Sequence, residues 1–130
     1  MPESSVSQVS IQNVKIAVVD GDLLVRDFVS TVLMYCVNRD VLSFDNGMAA
    51  WRYLEGADSP DIIISEVDVS GLNGFELLAR FKEKHPAKKC LLMSANPDDE
   101  KIARDSGTDA FLAKPVSVTD LFRVVETFVV

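Results

Sequence analysis

Five short apolar runs, each followed by a segment of helical periodicity, restrict this chain to very few architectures. The third run is the plainest: residues 62–68 read IIISEVD, three β-branched residues leading straight towards two carboxylates. Continuous runs of this kind suit strands covered on both faces, which is the mark of a parallel sheet. A strand is therefore expected over 61–66, and similar runs stand at VKIAVVD (14–20), DVLSF (40–44), KKCLLMSA (88–95) and DAFLAKP (109–115). Helical patterns alternate with them. LLVRDFVSTVLMYCV places Leu24, Phe28, Val32 and Cys36 at helical spacing, and MAAWRYLEG follows the turn signal DNG. FELLARFKEKH carries Phe75, Leu78 and Phe81 on one face and is stopped by Pro86. PDDEKIARDSG has acids in its first turn and Gly107 at its end, and SVTDLFRVVETFVV offers Ser117 or Thr119 as a cap. Strand–helix repeats with short connections form right-handed βαβ units. The expected fold class is α/β, a three-layer α/β/α sandwich around one five-stranded parallel sheet.

Composition narrows the function classes. The 130 residues, 48% hydrophobic, suffice for one domain with a single core. Acidic residues outnumber basic ones 20 to 13, and the net charge of −7 counts against nucleic acid or an anionic membrane as partner. The uncharged stretch from Phe28 to Asn38 is too short to cross a bilayer. MPESSVSQVSIQN lacks the basic and apolar regions of a secretory signal, so residues 1–13 read as a flexible polar tail before a domain over 14–130. Cys36 and Cys90 lie in apolar surroundings, as reduced cysteines acting as small hydrophobes do. The chain reads as a soluble cytoplasmic domain.

In an open parallel sheet, ligands sit beyond the carboxyl ends of the strands, where strand order reverses. Polar residues gather at those ends here: Asp20-Gly21-Asp22 after the first strand, Glu66 and then Asp68 after the third, Ser94 after the fourth, and Lys114-Pro115 after the fifth. Carboxylates hold Mg²⁺, a metal with a lysine neutralises a phosphoryl group, and a strand-end carboxylate can itself be the nucleophile. Any one such residue reads equally well as surface charge or a structural ion pair. Four strand ends together do not.

With VVDGD, DNGMAAW, DIIISEVDVSGLNGFELL, LLMSA and GTDAFLAKP in this order and spacing, residues 14–130 resemble the receiver domains of two-component response regulators, including the single-domain chemotaxis type. The resemblance implies a flavodoxin-like sheet of strand order 2-1-3-4-5 and a signalling role without enzymatic activity. It also implies a histidine kinase or a downstream output protein as partner, and Mg²⁺ as cofactor. Asp20 matches the first acid of the family's metal-binding pair, but the second falls on Gly21. The phospho-accepting aspartate falls on Glu66, and Asp68 takes the position whose backbone carbonyl ligates the metal. Ser94 matches the switch hydroxyl, Phe111 the switch aromatic and Lys114 the family's lysine. Ser70 stands where a proline is usual, while Gly74 is kept.

These departures matter physically. One extra methylene carries the Glu66 carboxylate about 1.5 Å further out, and a misplacement of about 1 Å can cost on the order of 100-fold in a positioned reaction. Gly21 removes a metal donor, although Asp22 or Asp68 could substitute, so any Mg²⁺ site is weak or absent. The resulting expectation is a degenerate, phosphorylation-independent receiver acting as a protein-interaction module, with Glu66 paired to Lys114 and accepting a hydrogen bond from Ser94. A working receiver with weak Mg²⁺-dependent phosphorylation is the alternative. A rival from another class is a haloacid-dehalogenase-like phosphatase, since AVVDGDLL resembles that family's Asp-x-Asp motif, with Asp20 as nucleophile and Asp22 as general acid/base. After Lys114, however, only Asp120 and Glu126 remain to complete its metal site.

The acidic residue and arginine with which winged-helix regulators pair their receivers fall on Ala110 and Val124, so that dimer is not supported. The last helix is nonetheless apolar beyond one stripe. Leu121, Val125 and Phe128 are expected in the core, and Phe122, Val124 and Val129 are candidates for a partner or homodimer surface.

Overall fold

A computed structural model describes residues 14–37 and 41–129 of the chain. The expected tail 1–13, Asp40 at the head of the second expected strand and the terminal Val130 lie outside the described residues. Five strands, β1 (Ile16–Val19), β2 (Leu42–Phe44), β3 (Ile62–Glu66), β4 (Lys89–Ser94) and β5 (Ala110–Ala113), form one parallel sheet in the order β2-β1-β3-β4-β5. The helices are α1 (Leu23–Met34), α2 (Gly47–Leu54), α3 (Gly74–Lys84), α4 (Asp99–Asp105) and α5 (Val118–Val124), the last running on as a π-helical turn over Val125–Val129. The three-layer α/β/α expectation and its strand order hold. Each strand is one to three residues shorter than its run, trimmed at the start, the end or both.

The alternation of strand side chains builds two cores, one on each face. Ile16, Val18, Ile62, Ile64, Leu91 and Met93 point to one side, where Val29 and Leu33 of α1 and Leu121 and Val124 of α5 cover them. Val19, Ile63, Cys90 and Leu92 point to the other, against Leu54 of α2 and Leu77, Leu78 and Phe81 of α3. The middle strand β3 is buried on both faces, which is why its sequence does not alternate. Cys90 is a free, enclosed thiol and Cys36 a free, half-buried one. Burial pushes both thiols above their usual pKa.

Helix starts follow the sequence signals. Asn46, Asn73 and Ser117 cap α2, α3 and α5, and the last two close capping boxes with Glu76 and Asp120. Ser117, not Thr119, is thus the cap. Asp22 caps α1 by accepting from the N–H groups of Leu24 and Val25. The stripe expected along α1 is corrected. Val29 and Leu33 face the sheet, Val32 and Cys36 are partly buried, and Leu24 and Phe28 are exposed.

The end of the chain corrects two further expectations. Val124 and Val129 are buried at 3% and 6% exposure, so neither is available as a surface residue. Leu121, Val124 and Val125 form the i, i+3, i+4 stripe, and Val129 continues it at i+8 within the π-helical turn. Phe128, expected in the core, lies only partly buried at its margin, whereas Phe122 is 49% exposed.

Two glycines let loops close over the site end of the sheet. A Cβ on Gly47 would fall 1.6 Å from the Leu72 carbonyl oxygen, and one on Gly74 would fall 2.6 Å from that of Glu66. Both neighbours are backbone and cannot swing aside. Gly47→Ala is therefore expected to destabilise the domain by about 1–3 kcal/mol or more through overpacking. Urea unfolding of Gly47→Ala beside Gly21→Ala, where the added Cβ meets nothing nearer than 3.8 Å, checks that the cost comes from crowding.

Candidate functional site

The register of the sheet brings the polar strand ends together. Val19 lies beside Ser65, Glu66 beside Met93 and Ser94 beside Ala113, so the residues ending β1, β3, β4 and β5 emerge along one edge. Asp20 follows β1 and is fully enclosed at 0% exposure. Its backbone is held on both sides: its N–H donates to the Phe44 carbonyl at 3.1 Å, and its own carbonyl accepts from Arg26 Nη1 at 2.7 Å. Its Oδ1 accepts the Asp22 N–H at 2.8 Å. Lys114 follows β5, where its N–H donates to the Ser94 carbonyl at 2.9 Å and its peptide bond to Pro115 is cis.

The Lys114 ammonium lies between two carboxylates. Nζ is 2.6 Å from Glu66 Oε2 and 2.8 Å from Asp20 Oδ2. The bond to Glu66 is a well-formed charge-assisted hydrogen bond. The contact with Asp20 Oδ2 is an ion pair, and among the described residues that oxygen has no other partner. The pairing of Glu66 with Lys114 thus matches the sequence expectation.

Burial governs the protonation of the inner pair. Enclosure pushes the Asp20 carboxyl above its usual pKa, against the opposing pull of Lys114 and the Asp22 N–H. Burial also works against the charge on Lys114, but hydrogen bonding and attraction from Asp20 and Glu66 outweigh it and hold the ammonium above its usual value of 10.5.

Ser94 departs from expectation. Its hydroxyl donates to Asp99 Oδ2 at 2.7 Å rather than to Glu66, and it accepts the Asn96 N–H at 3.0 Å. The β4–α4 turn supplies this partner five residues along the chain. Phe111 is half-buried against the core under α2 and α3, and Asp68 is exposed in the turn after β3. Arg26 and Asp99 were not among the candidates read from the sequence. Arg26 stands six residues from the backbone it secures, and nothing in LLVRD sets it apart from a surface arginine.

A five-stranded parallel sheet with acids and a lysine at the carboxyl ends of its strands defines a class, and comparison with known proteins specifies it. The family model for the response regulator receiver domain matches residues 16–126. The chain belongs to that family. It is 31% identical over 115 residues to the rice (Oryza sativa subsp. indica) "Two-component response regulator-like PRR37", covering 85% of this chain and 15% of that protein. It is 32% identical over 115 residues to the "DNA-binding transcriptional regulator NtrC" of Rhizobium meliloti, covering 85% of this chain and 23% of the relative. The chain thus spans less than a quarter of the length of either. Among solved structures, the N-terminal domain of an uncharacterized protein (WS1339) from Wolinella succinogenes is 28% identical with a TM-score of 0.75, covering 88% of this chain and 91% of that one. The chemotaxis response regulator CheY4 of Vibrio cholerae shares the fold at 23% identity and a TM-score of 0.76, covering 88% of this chain and 97% of its own. No helix among the described residues is long and apolar enough to cross a membrane.

The family implies Mg²⁺ at these strand ends, and the donor set fits it poorly. Gly21 has no side-chain oxygen, Asp22 spends its carboxylate on the α1 cap, and Asp20 and Glu66 both face an ammonium. Among the described residues no three His, Cys, Asp or Glu side chains converge as a metal requires. Mg²⁺ demands near-ideal octahedral geometry and tolerates such a set badly.

Removing Lys114 leaves an enclosed carboxylate without its counter-charge. Lys114→Met is expected to cost about 3–5 kcal/mol, with part recovered in Asp20→Asn/Lys114→Met, as read by urea unfolding. The pH dependence follows from the raised values. The stabilisation by Lys114 is complete below pH 10.5 and is lost as pH rises through the higher folded value. Asp20 also has a folded pKa raised above its reference value of 3.8, so its contribution is present below that value and is lost as pH rises through the raised one. The alkaline fall in Tm should be steeper in the wild type than in Glu66→Gln.

Proposed function

We propose that this receiver domain is a phosphorylation-independent signalling module. An internal ion pair occupies the place where a conventional receiver would carry its acceptor, metal and phosphoryl group. The observation that carries this reading is the Lys114 ammonium, seated 2.6 Å from Glu66 and 2.8 Å from Asp20. In this reading Glu66 stands at the acceptor position and supplies the negative charge that Lys114 would otherwise meet in a phosphoryl group. Asp20 and Asp68 are the remnants of the metal site, which binds Mg²⁺ weakly or not at all. Ser94 and Phe111 hold the switch positions, with Ser94 engaged by Asp99. The domain acts by binding proteins, a histidine kinase or an output protein, from a cytoplasmic location, and it carries no catalytic activity.

The phosphatase reading loses support in the same geometry. Its general acid/base, Asp22, is engaged as a helix cap, and Asp120, one of the two acids after Lys114, closes the α5 capping box.

Intact mass after incubation with a small phosphodonor and Mg²⁺ tests the proposal. The wild type is expected to remain unmodified. Gly21→Asp/Glu66→Asp is expected to gain one phosphoryl group, because the added Cβ at position 21 meets nothing nearer than 3.8 Å. A wild type that gains the phosphoryl group would contradict the proposal and establish a working receiver.

A further inference from the structure

Of the five helices, α4 buries the fewest side chains. Ala103 alone is enclosed, and Ile102 is 50% exposed. Its ion pairs, Lys101 with Asp105 and Arg104 with Glu100, lie within the helix and on its surface, so they tie it to no other element. The far end is anchored. The Thr108 N–H donates to the Ala103 carbonyl at 3.1 Å, and the Thr108 hydroxyl lies 3.1 Å from the Cys90 carbonyl and 2.8 Å from that of Ala110.

The near end depends on one side-chain bond. Ala95, Asn96, Pro97 and Asp98 are all exposed in the β4–α4 turn, and Asp98, at the cap position, makes no side-chain cap bond. Asp99 instead reaches back five residues, and its Oδ2 accepts the Ser94 hydroxyl at 2.7 Å. Ser94 is 3% exposed and also accepts the Asn96 N–H at 3.0 Å, so one enclosed hydroxyl gathers in both the turn and the start of the helix. A hydrogen bond to a carboxylate is of the stronger kind.

This bond stands apart from the Lys114 cluster. A serine has one proton to donate. With Asp99 holding it, Ser94 has none for Glu66, although the two residues end adjacent strands. Glu66 Oε2 and Asp20 Oδ2 are both turned to Lys114. Among the described residues the two groups share no side-chain partner. The bond from the Lys114 N–H to the Ser94 carbonyl joins them through the backbone and does not involve the hydroxyl.

We infer that Ser94 and Asp99 form a conformational latch. Their hydrogen bond holds the β4–α4 turn and α4 closed on the sheet, and α4 opens as a unit of its own while the Lys114 ion pair stays intact. Segments with few enclosed apolar groups open at lower free energy than the rest of a domain. The edge thus has two independent settings, one held by Glu66 and one by Asp99. The inference goes beyond the phosphorylation-independent reading and does not rest on it, because Ser94 and Asp99 meet without a phosphoryl group.

Amide hydrogen exchange of the full chain, followed by NMR with no phosphodonor present, tests this. The reporters are the amides of residues 103–106, which close the backbone bonds of α4, against those of Ile63 and Leu92 in the sheet. In the wild type the α4 amides are expected to exchange at least about tenfold faster than the sheet amides. Asp99→Ala should speed the α4 amides at least about tenfold further. Asp98→Ala removes the same charge from the same turn and should leave them within about twofold of the wild type. Glu66→Gln should do the same, since the contact it weakens is present in the open state as well as the closed one. Ser94→Ala/Asp99→Ala should be no faster than Ser94→Ala, because both changes break one bond. Four results would overturn the latch: α4 amides that exchange only with the sheet, α4 amides that respond alike to Asp98→Ala and Asp99→Ala, additive effects in the double variant, or α4 amides that speed up tenfold in Glu66→Gln. Intact mass after phosphodonor treatment is read separately. Uptake of a phosphoryl group refutes the phosphorylation-independent reading and leaves the latch standing, whereas α4 amides indifferent to Asp99→Ala refute the latch alone.

Discussion

An enclosed carboxylate next to a partly buried lysine is the interaction on which this site depends. Asp20 is shut off from water, and an uncompensated charge there would be costly. Lys114 provides the compensation, and Glu66 is the residue that makes the arrangement symmetric. With Glu66 present, the ammonium is shared between two acids donated by the first and third strands, and the strand that carries Lys114 is tied back across the sheet. Three elements far apart in sequence therefore meet in one electrostatic contact. The attraction is sizeable only because the pair is shielded: at an effective dielectric near 20, unit charges about 4 Å apart attract by roughly 4 kcal/mol before desolvation is subtracted.

The extra methylene of Glu66 is what permits this. It carries the carboxylate out from the strand end towards the lysine, and it does so without disturbing the strand, whose carbonyl is already packed against Gly74. Gly21 fits the same picture. An acid there would compete for the cation or bring a third negative charge to the edge, whereas glycine leaves Lys114 balanced by two. The edge thus holds two carboxylates around one ammonium.

How much of this could be read from the residues differs from element to element. The βαβ order was legible because apolar runs ending in acid or Lys-Pro have few other uses, and β3 was legible because both its faces are apolar. The Glu66–Lys114 pair was legible because parallel strands put their carboxyl ends on one edge, where Lys114 reaches past β4 to Glu66. Side chains whose partners come from local turns were not. Ser94 looked free to reach Glu66, but Asp99 arrives first because the β4–α4 turn folds back within five residues. The rotation of α1 was hidden because the helix is apolar on two sides, and it is Val29 and Leu33 that pack on the sheet. At the chain's end Val129 continues the Leu121, Val124 and Val125 stripe four residues on, so its burial follows from the spacing, whereas the place of Phe128 at the margin does not.

The same double-sided character of α1 links the site to the surface. Leu24 and Phe28 stand in solvent and line, with Lys114, a cavity of about 390 Å³, so the ion pair borders the outer side of α1. The most direct test of the account is an NMR titration of the Lys114 ammonium in the wild type and in Glu66→Gln. The account predicts a wild-type titration above 10.5 that moves down when Glu66 loses its charge. A Lys114 that titrates at its ordinary value and is indifferent to Glu66→Gln would show that the ion pair does not hold the site.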